Sequence, residues 1–595
     1  MTELIHAMSN SGRKRRNMQN VFAGYNHNLI INETQFYEMK NMTSDYYPVL
    51  SPRDKRGIID QFTNPQGLFG GDKLAWVDNG LFYYDGNPIC EVNEKEKQFV
   101  RIGALLCIFP DKLIFNTYTG ELDSMEVTVH TTGETTYSLC KLDGTAYEQY
   151  VGDEVPDPEK NPVWLDTSTT PNVLKEYAFS SAQWIEIPTT YIKIANPYIG
   201  MAFSEYDAVT ITDCDIAILN TDNIVYGAGD GYIIVAGLIN ETLTQETGIY
   251  LKRLVPDMDF VTELDNRIWG CSSDNHEIYA CKLGDPKNWR CYMGLTSDSY
   301  TATIGIEGRF TGAISHLGYV LFFKENAIIK VYGNDPSSYV ITTTRCRGVQ
   351  EGSERSLVTI NEILYYKAVN SICCYDGSLP QNISMDLGNN LYFDARAGYC
   401  KEKYYVCMRD PNYNWKTFVY DTIKGMWHVE DTAELKWFAN ASGGLYFLTE
   451  ENTLQVVNMD ALVNTIFPGM PDEEYMYPSD DLYPNQNYSY SKEDKVEWEA
   501  ETGDIGMDSP DMKYISGVML RLVIENKARL QVYVQYDSNG IWEEVIDLQS
   551  TSKRSVNVPI PLKRCDHARL LFKGIGECRL YSITKTIEEG SSVND

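Results

Sequence analysis

No stretch of this chain approaches the ~20 consecutive apolar residues that a membrane-spanning helix needs; the longest candidate runs only from Tyr232 to Ile239. The basic tetrad Arg13-Lys14-Arg15-Arg16 lies within Met1 to Asn20, but no apolar core of a secretory leader follows it, so no leader of that kind is expected. Basic charge is scarce: 51 Lys and Arg stand against 83 Asp and Glu, a formal charge of −32. Affinity for nucleic acid comes from cations that neutralise phosphates, so a simple nucleic-acid binder is excluded. Histidine is rarer still, at seven in 595 residues, which leaves little for a metal site. The fourteen cysteines are spread from Cys90 to Cys578, with Cys373 and Cys374 adjacent, and lack the dense spacing of a small disulfide scaffold. Reduced thiols in a protein made in a cytoplasm are expected. Long helical periodicity is also missing, which points to a mainly β chain.

Tyrosine and glycine are plentiful, at 42 and 43, and favour strands and turns. The local theme is a short aromatic or β-branched run, a tight turn and a second run. Leu74-Ala75-Trp76-Val77 and Leu81-Phe82-Tyr83-Tyr84 flank Asp78-Asn79-Gly80, and Asn-Gly supplies the positive φ angles of a type I′ hairpin. Aromatic-centred strands recur at Trp269, Phe322, Tyr365, Tyr405 and Tyr446, a period of roughly 40–50 residues that matches a four-stranded propeller blade. The same theme occurs around Trp76 and around Leu113-Ile114-Phe115, then lapses until about residue 256. The expected fold is therefore a β-propeller with an inserted β-rich domain and a C-terminal β-sandwich.

The expected boundaries are an N-terminal arm and extended segment over 1–60, first blades over 61–123, the insertion over 124–255 and the remaining blades over 256–466. A Pro-rich acidic linker over 467–490 and a sandwich over 491–595 complete the chain. The alternative for 124–255 is a pair of degenerate blades. Short alternating strands such as Val532-Tyr533-Val534-Gln535-Tyr536, turning at Asp537-Ser538-Asn539-Gly540, carry the sandwich expectation.

Chemistry has little to work with. Asp274-Asn275-His276-Glu277 offers ligand-type side chains, but no second histidine lies at a ligand-like spacing, and a solvated turn explains it better. His27, His130, His316, His428 and His567 are isolated. Cys271, Cys281 and Cys291 recur every ten residues without a CxxC pair and read as strand-buried thiols. A sialidase-type Asp-box would set glycine two residues after aspartate, whereas Asp421 is followed by Gly425. No nucleophile elbow, phosphate loop or dinucleotide fingerprint stands out, so neither catalysis nor a cofactor is expected. The tetrad Arg13, Lys14, Arg15, Arg16 is either a solvated arm or one that docks on an acidic neighbour, including another copy of the chain.

Several segments carry a family likeness. Phe22-Ala23-Gly24-Tyr25-Asn26 is followed by Asn41, Asp45, Tyr47-Pro48, Leu50 and Arg53 in an N-x-x-x-D-x-Y-P-x-L-x-x-R pattern. Asp265-Asn266-Arg267-Ile268-Trp269-Gly270, Gly284-Asp285-Pro286-Lys287-Asn288-Trp289, Asp298-Ser299-Tyr300 and Phe323-Lys324-Glu325-Asn326 follow over most of 20–460. These resemble tail nozzle (tail tubular protein B-like) and tail hub proteins of short-tailed bacteriophages, and the C-terminal segment resembles a sandwich that ends such proteins. The resemblance implies a structural protein of the virion tail, assembled in the bacterial host cytoplasm, that forms a ring, usually a hexamer. It implies contacts with the tail adaptor and portal-proximal proteins and with fibre or tip proteins. Genomic DNA would pass through its channel without specific binding, which an acidic wall favours. Residues 150–172 of the insertion are then the candidate channel-facing loop. Two other readings are a glycan-binding or glycan-degrading propeller for host recognition, and a tail-tip or baseplate-associated propeller of a long-tailed phage.

Overall fold

The computed structural model describes residues 14–441, 443–457 and 491–589. Arg13 and the expected linker 467–490 lie outside the described residues. The described chain is built of antiparallel strands, and its only helical elements are short 3₁₀ turns such as Glu354–Ser356. Seven sheets among the described residues are propeller blades, six of them made of four consecutive strands. Blade one comprises Pro65–Gly70, Leu74–Asp78, Leu81–Tyr84 and Asn87–Glu91, and blade two spans Gln98 to Ser124. Blades three, four, five and six span Phe260 to Thr303, Gly312 to Thr344, Val358 to Asn382 and Phe393 to Asp431. Blade seven takes Leu435–Ala441, Gly444–Thr449 and Thr453–Val456, and its fourth strand is Gly57–Gln61 from near the other end of the chain.

The recurring aromatics have a single address. Trp76, Trp269, Phe322, Tyr365, Tyr405 and Tyr446 all lie on the second strand of a blade. That strand is flanked by the first and third and covered on both faces, so its residues form continuous buried runs such as Arg267–Ser272. Leu113-Ile114-Phe115 is one strand out of step: it is the third strand of blade two, whose second is Leu105–Phe109. The Asp78-Asn79-Gly80 turn has positive φ at Asn79 (52°) and Gly80 (73°), the geometry of a type I′ hairpin.

The chain divides into two compact units. Unit one holds residues 1–97, 323–328 and 343–595. Within it the first strands of blades five, six, seven and one neighbour each other in that order. Its C-terminal sandwich is organised by one long strand, Lys513–Tyr536. The first half of this strand pairs with Cys578–Glu589 and the second with Ala568–Ile575, while Glu543–Val558 runs along it with a break in register between Ile524 and Arg529. Even-numbered positions such as Leu520, Leu522, Leu530, Val532 and Val534 alternate into the core. The outermost strands come from the N-terminal region: Lys14–Gln19 pairs with Cys578–Glu589, and Phe36–Lys40 pairs with Glu497–Thr502. Residues 14–61 are thus shared between the sandwich and blade seven, through long-range pairings that leave no local signal in the sequence.

Unit two holds residues 98–322 and 329–342. Between blades two and three an eight-stranded sheet runs in the order Val127–His130, Tyr250–Arg253, Ala208–Thr212, Asp222–Gly229, Tyr232–Ala236, Tyr191–Ala195, Thr135–Cys140, Leu243–Gln245. This order is not that of a blade. A smaller sheet (Tyr150–Gly152, Val163–Asp166, Val173–Ala178, Gln183–Glu186) shares its core through Leu165 and Leu174.

Candidate functional site

Apart from Phe323-Lys324-Glu325-Asn326, the segments that carry the family likeness converge on two clamps, one in each unit. In unit one the segment from Phe22 to Arg53 holds blade six and the sandwich together. Gly24 adopts φ 81°, and a Cβ there would lie 2.4 Å from the Trp427 carbonyl oxygen, so only glycine lets the chain close on this strand. The neighbouring Tyr25 N–H donates to the same carbonyl at 2.7 Å. On the sandwich side Leu50 and Leu580 exchange backbone hydrogen bonds at 3.1 and 2.9 Å, and Asn41 Nδ2 donates to the Glu497 carbonyl at 2.7 Å.

Arg53 donates through Nε to Asn41 Oδ1 at 2.9 Å and through its two terminal nitrogens to Glu493 at 2.6 and 3.0 Å. This bidentate fork fixes geometry in a way a lysine would not. The buried Arg56 reaches Asp431 at 2.5 Å and Glu430 at 3.1 Å and lies 4.9 Å from the Phe447 ring centre. Burial alone would raise the Asp431 carboxyl, but the Arg56 guanidinium overrides it and holds it below the ordinary range. Glu493 is likewise held low: burial raises it, but the hydrogen bonds and charges of Arg53 and Arg56 together outweigh burial. Beside them Lys403 pairs with Asp45 at 2.8 Å, and the Ser44 hydroxyl donates to Asp421 at 2.6 Å. This explains the failed Asp-box: Asp421 is committed to holding residue 44 and its own turn.

The second clamp ties the insertion to blade three. The Arg267 guanidinium, 2% exposed, donates to the carbonyls of Cys281, Asp298 and Thr296 at 2.8, 2.5 and 2.7 Å and so shapes the loop from Cys281 to Ser299. That loop presents Asn288, which donates to Asp285 at 2.6 Å and to Asp207 at 2.8 Å and accepts from the Ala208 N–H at 2.8 Å. Asp207 is in turn ion-paired with Arg253 at 2.7 Å, both buried. Trp289 is buried against this junction with its indole N–H on the Pro286 carbonyl at 2.8 Å. The Arg-x-Trp and Gly-Asp-Pro-x-x-Trp elements are therefore parts of one mechanical joint.

A polar cleft of about 650 Å³ opens beside this joint, lined by Lys112, Glu126, Asp257, Glu277, Tyr279 and Arg290 among others. It takes in Asn275 and Glu277 of the Asp274-Asn275-His276-Glu277 segment. Asn275 donates to the Tyr279 hydroxyl at 3.0 Å, and that hydroxyl donates to Glu277 at 2.7 Å. Burial, then the Glu277 carboxylate, push the Tyr279 phenol up to about 12. His276 sits in the turn with φ 55°. Among the described residues no group of three or more His, Cys, Asp or Glu is arranged to hold a metal ion.

Of the basic tetrad, Lys14, Arg15 and Arg16 begin the sandwich's edge strand. Lys14 pairs with Glu588 at 2.8 Å, Arg15 pairs with Asp508, and Arg16 points a guanidinium nitrogen at the Met519 sulfur, 4.0 Å away. The acidic neighbours they meet belong to the same chain. Residues 150–172 form two strands of the small sheet, Tyr150–Gly152 and Val163–Asp166, which run parallel. None of the fourteen cysteines is in a disulfide, and eleven are buried.

No family model matches the chain, and no curated protein matches it. Among solved structures it is similar to an exo-β-1,3-galactanase from Phanerochaete chrysosporium, at 9% identity over 55% of this chain and 94% of that one, with a TM-score of 0.22. A chain of the mitotic checkpoint complex is 8% identical over 72% and 95%, with a TM-score of 0.28. BamB from Moraxella catarrhalis is 10% identical over 40% and 79%, with a TM-score of 0.20. Likeness at this level says nothing about function, and the propeller assignment rests on the strand order itself.

Proposed function

We propose that this protein is a structural, non-enzymatic component of a bacteriophage tail. In this reading it assembles with copies of itself into a ring, expected to be hexameric, that continues the DNA-ejection channel in the virion. It contacts adaptor and portal-proximal proteins on one side and fibre or tip proteins on the other. The observation that supports this best is how the family-like residues are spent. Gly24, Asn41, Arg53 and Asn288 join one element to another, and Arg267 and Trp289 shape the loop that presents Asn288. Such joints suit a part that transmits force during ejection. The charge of −32 fits a conduit, because an acidic surface denies DNA the counterion-releasing contacts that would hold it.

The test is mass measurement of the purified chain, together with imaging of phage particles in which the chain has been labelled. A closed ring in solution or a labelled ring in the tail is expected. A persistent monomer that is absent from particles would remove the proposal.

A further inference from the structure

Unit one also contains a cleft of about 540 Å³ that neither clamp uses. The first strands of blades one, six and seven and the turn ahead of blade five open onto it, and eight of its lining residues are charged, five acidic and three basic. The three cations are already committed. Arg355 contacts Glu96 and stacks 4.9 Å from the Trp437 ring centre, Arg396 donates to Glu434 at 2.6 Å, and Lys436 donates to Asn452 at 2.6 Å.

Two carboxyl groups keep an oxygen that no cation takes. Glu354 has no ion-pair partner among the described residues, and burial pushes its carboxyl up. Asp394 pairs with Arg409 through Oδ2 only; it sits at φ 53° in a break of register between Phe393 and Arg396, and a Cβ on Gly352 would lie 3.1 Å from its Oδ1. Bulges of this kind re-aim a side chain, here on a first strand of the propeller.

We propose that this cleft binds a saccharide, with Glu354 and Asp394 taking its hydroxyl groups. A sugar hydroxyl both donates and accepts, so it suits a lining in which fixed charges of both signs are interleaved and mostly paired. Trp437, whose ring carries the Arg355 guanidinium, lines the same cleft and fixes that cation in place. The lining is too polar for a lipid or an apolar peptide anchor, and its acidic excess opposes a polyanion. This inference is independent of the tail proposal, since a ring component and a soluble lectin would show the same cleft.

The experiment exposes the full chain to an array of neutral, amino and acidic oligosaccharides and titrates any that is retained by calorimetry. Retention is expected, with affinity falling roughly 10- to 100-fold in Glu354→Gln and in Asp394→Asn. Glu277→Gln, in the other unit, should bind as the parent does. Circular dichroism establishes that each variant is folded, and Trp437→Phe provides a second, milder probe of the same cleft. Failure of the folded parent to retain any oligosaccharide would overturn the inference. So would retention that both carboxyl variants leave unchanged, or tighter binding of spermidine at the same residues.

Discussion

His428 is buried at 4% exposure on the last strand of blade six, packed within 3.4 Å of the Cβ that Gly24 lacks. Burial first, and then the ammonium of Lys403, push its imidazole down to about 3, with Asp421, Lys424 and Asp45 as the other charges nearby. The folded chain therefore leaves His428 neutral, whereas the unfolded chain protonates it near its ordinary value of about 6.5. A depressed folded value means that its contribution is complete above about pH 6.5 and is lost as the pH falls towards 3. Asp431, Glu493 and Asp421 are also held low, but their contributions fade only once the pH drops below the ordinary carboxylate range. Burial raises the carboxyls of Glu354, Asp386 and Glu501, whose contributions have the opposite sign, so between about pH 6.5 and 5 it is the difference between the parent and a His428 variant that isolates the histidine. Denaturant unfolding of unit one should lose up to about 1.4 kcal/mol of stability per pH unit in that interval, and His428→Gln should flatten the slope. An unchanged slope in the variant would assign the pH dependence elsewhere.

Among the elements, the insertion is arranged to be separable. Its first strand pairs with its last, Val127 opposite Arg253, so its two ends lie side by side, and its core is distinct from those of the blades. Replacing 127–253 by a short Gly-Ser loop should leave blades two and three folded, with a loss of about 1–3 kcal/mol where Asn288 loses Asp207. Circular dichroism and thermal melting of the shortened chain check this; a chain that fails to fold would show that the blades depend on the insertion. This domain was legible in the sequence because the aromatic period lapses between Phe115 and residue 256. The blades were legible because their second strands, buried on both faces, concentrate aromatic and β-branched residues. Blade two was read one strand late because Leu105–Phe109 and Leu113–Asn116 are about equally apolar. The pairing of Lys14–Gln19 with the sandwich could not be read, since partners more than 500 residues apart leave no periodicity. The saccharide cleft was invisible for the same reason: Glu354 comes from the turn ahead of blade five, Asp394 from blade six and Trp437 from blade seven, and each alone looks like any other of the chain's carboxylates and indoles.

For the whole molecule, the charge of −32 opposes the approach of one copy to another. Like-charged subunits repel over a Debye length of about 10 Å at 0.1 M salt and about 3 Å at 1 M. If the protein forms rings, sedimentation velocity should show the oligomer fraction rising between about 0.05 and 0.5 M NaCl. A fraction that falls with salt would instead indicate an interface dominated by opposite charges. The edge strand fits this picture, because Lys14 and Arg15 are already neutralised within their own chain and add little to attraction between copies.

The last blade has a consequence for the order of folding. Its fourth strand, Gly57–Gln61, pairs with Thr453–Val456, and the two are joined where Thr453 meets Gln61 across 392 positions. At ~5–20 residues per second, a ribosome takes roughly 20–80 s to make the partner after the first strand has emerged. Throughout that time an unpaired strand and the half-built blades beside it are exposed to the cell. Blade seven is thus a latch set early in synthesis and closed late, and any chaperone that serves this chain must wait for residue 456 before that blade can form.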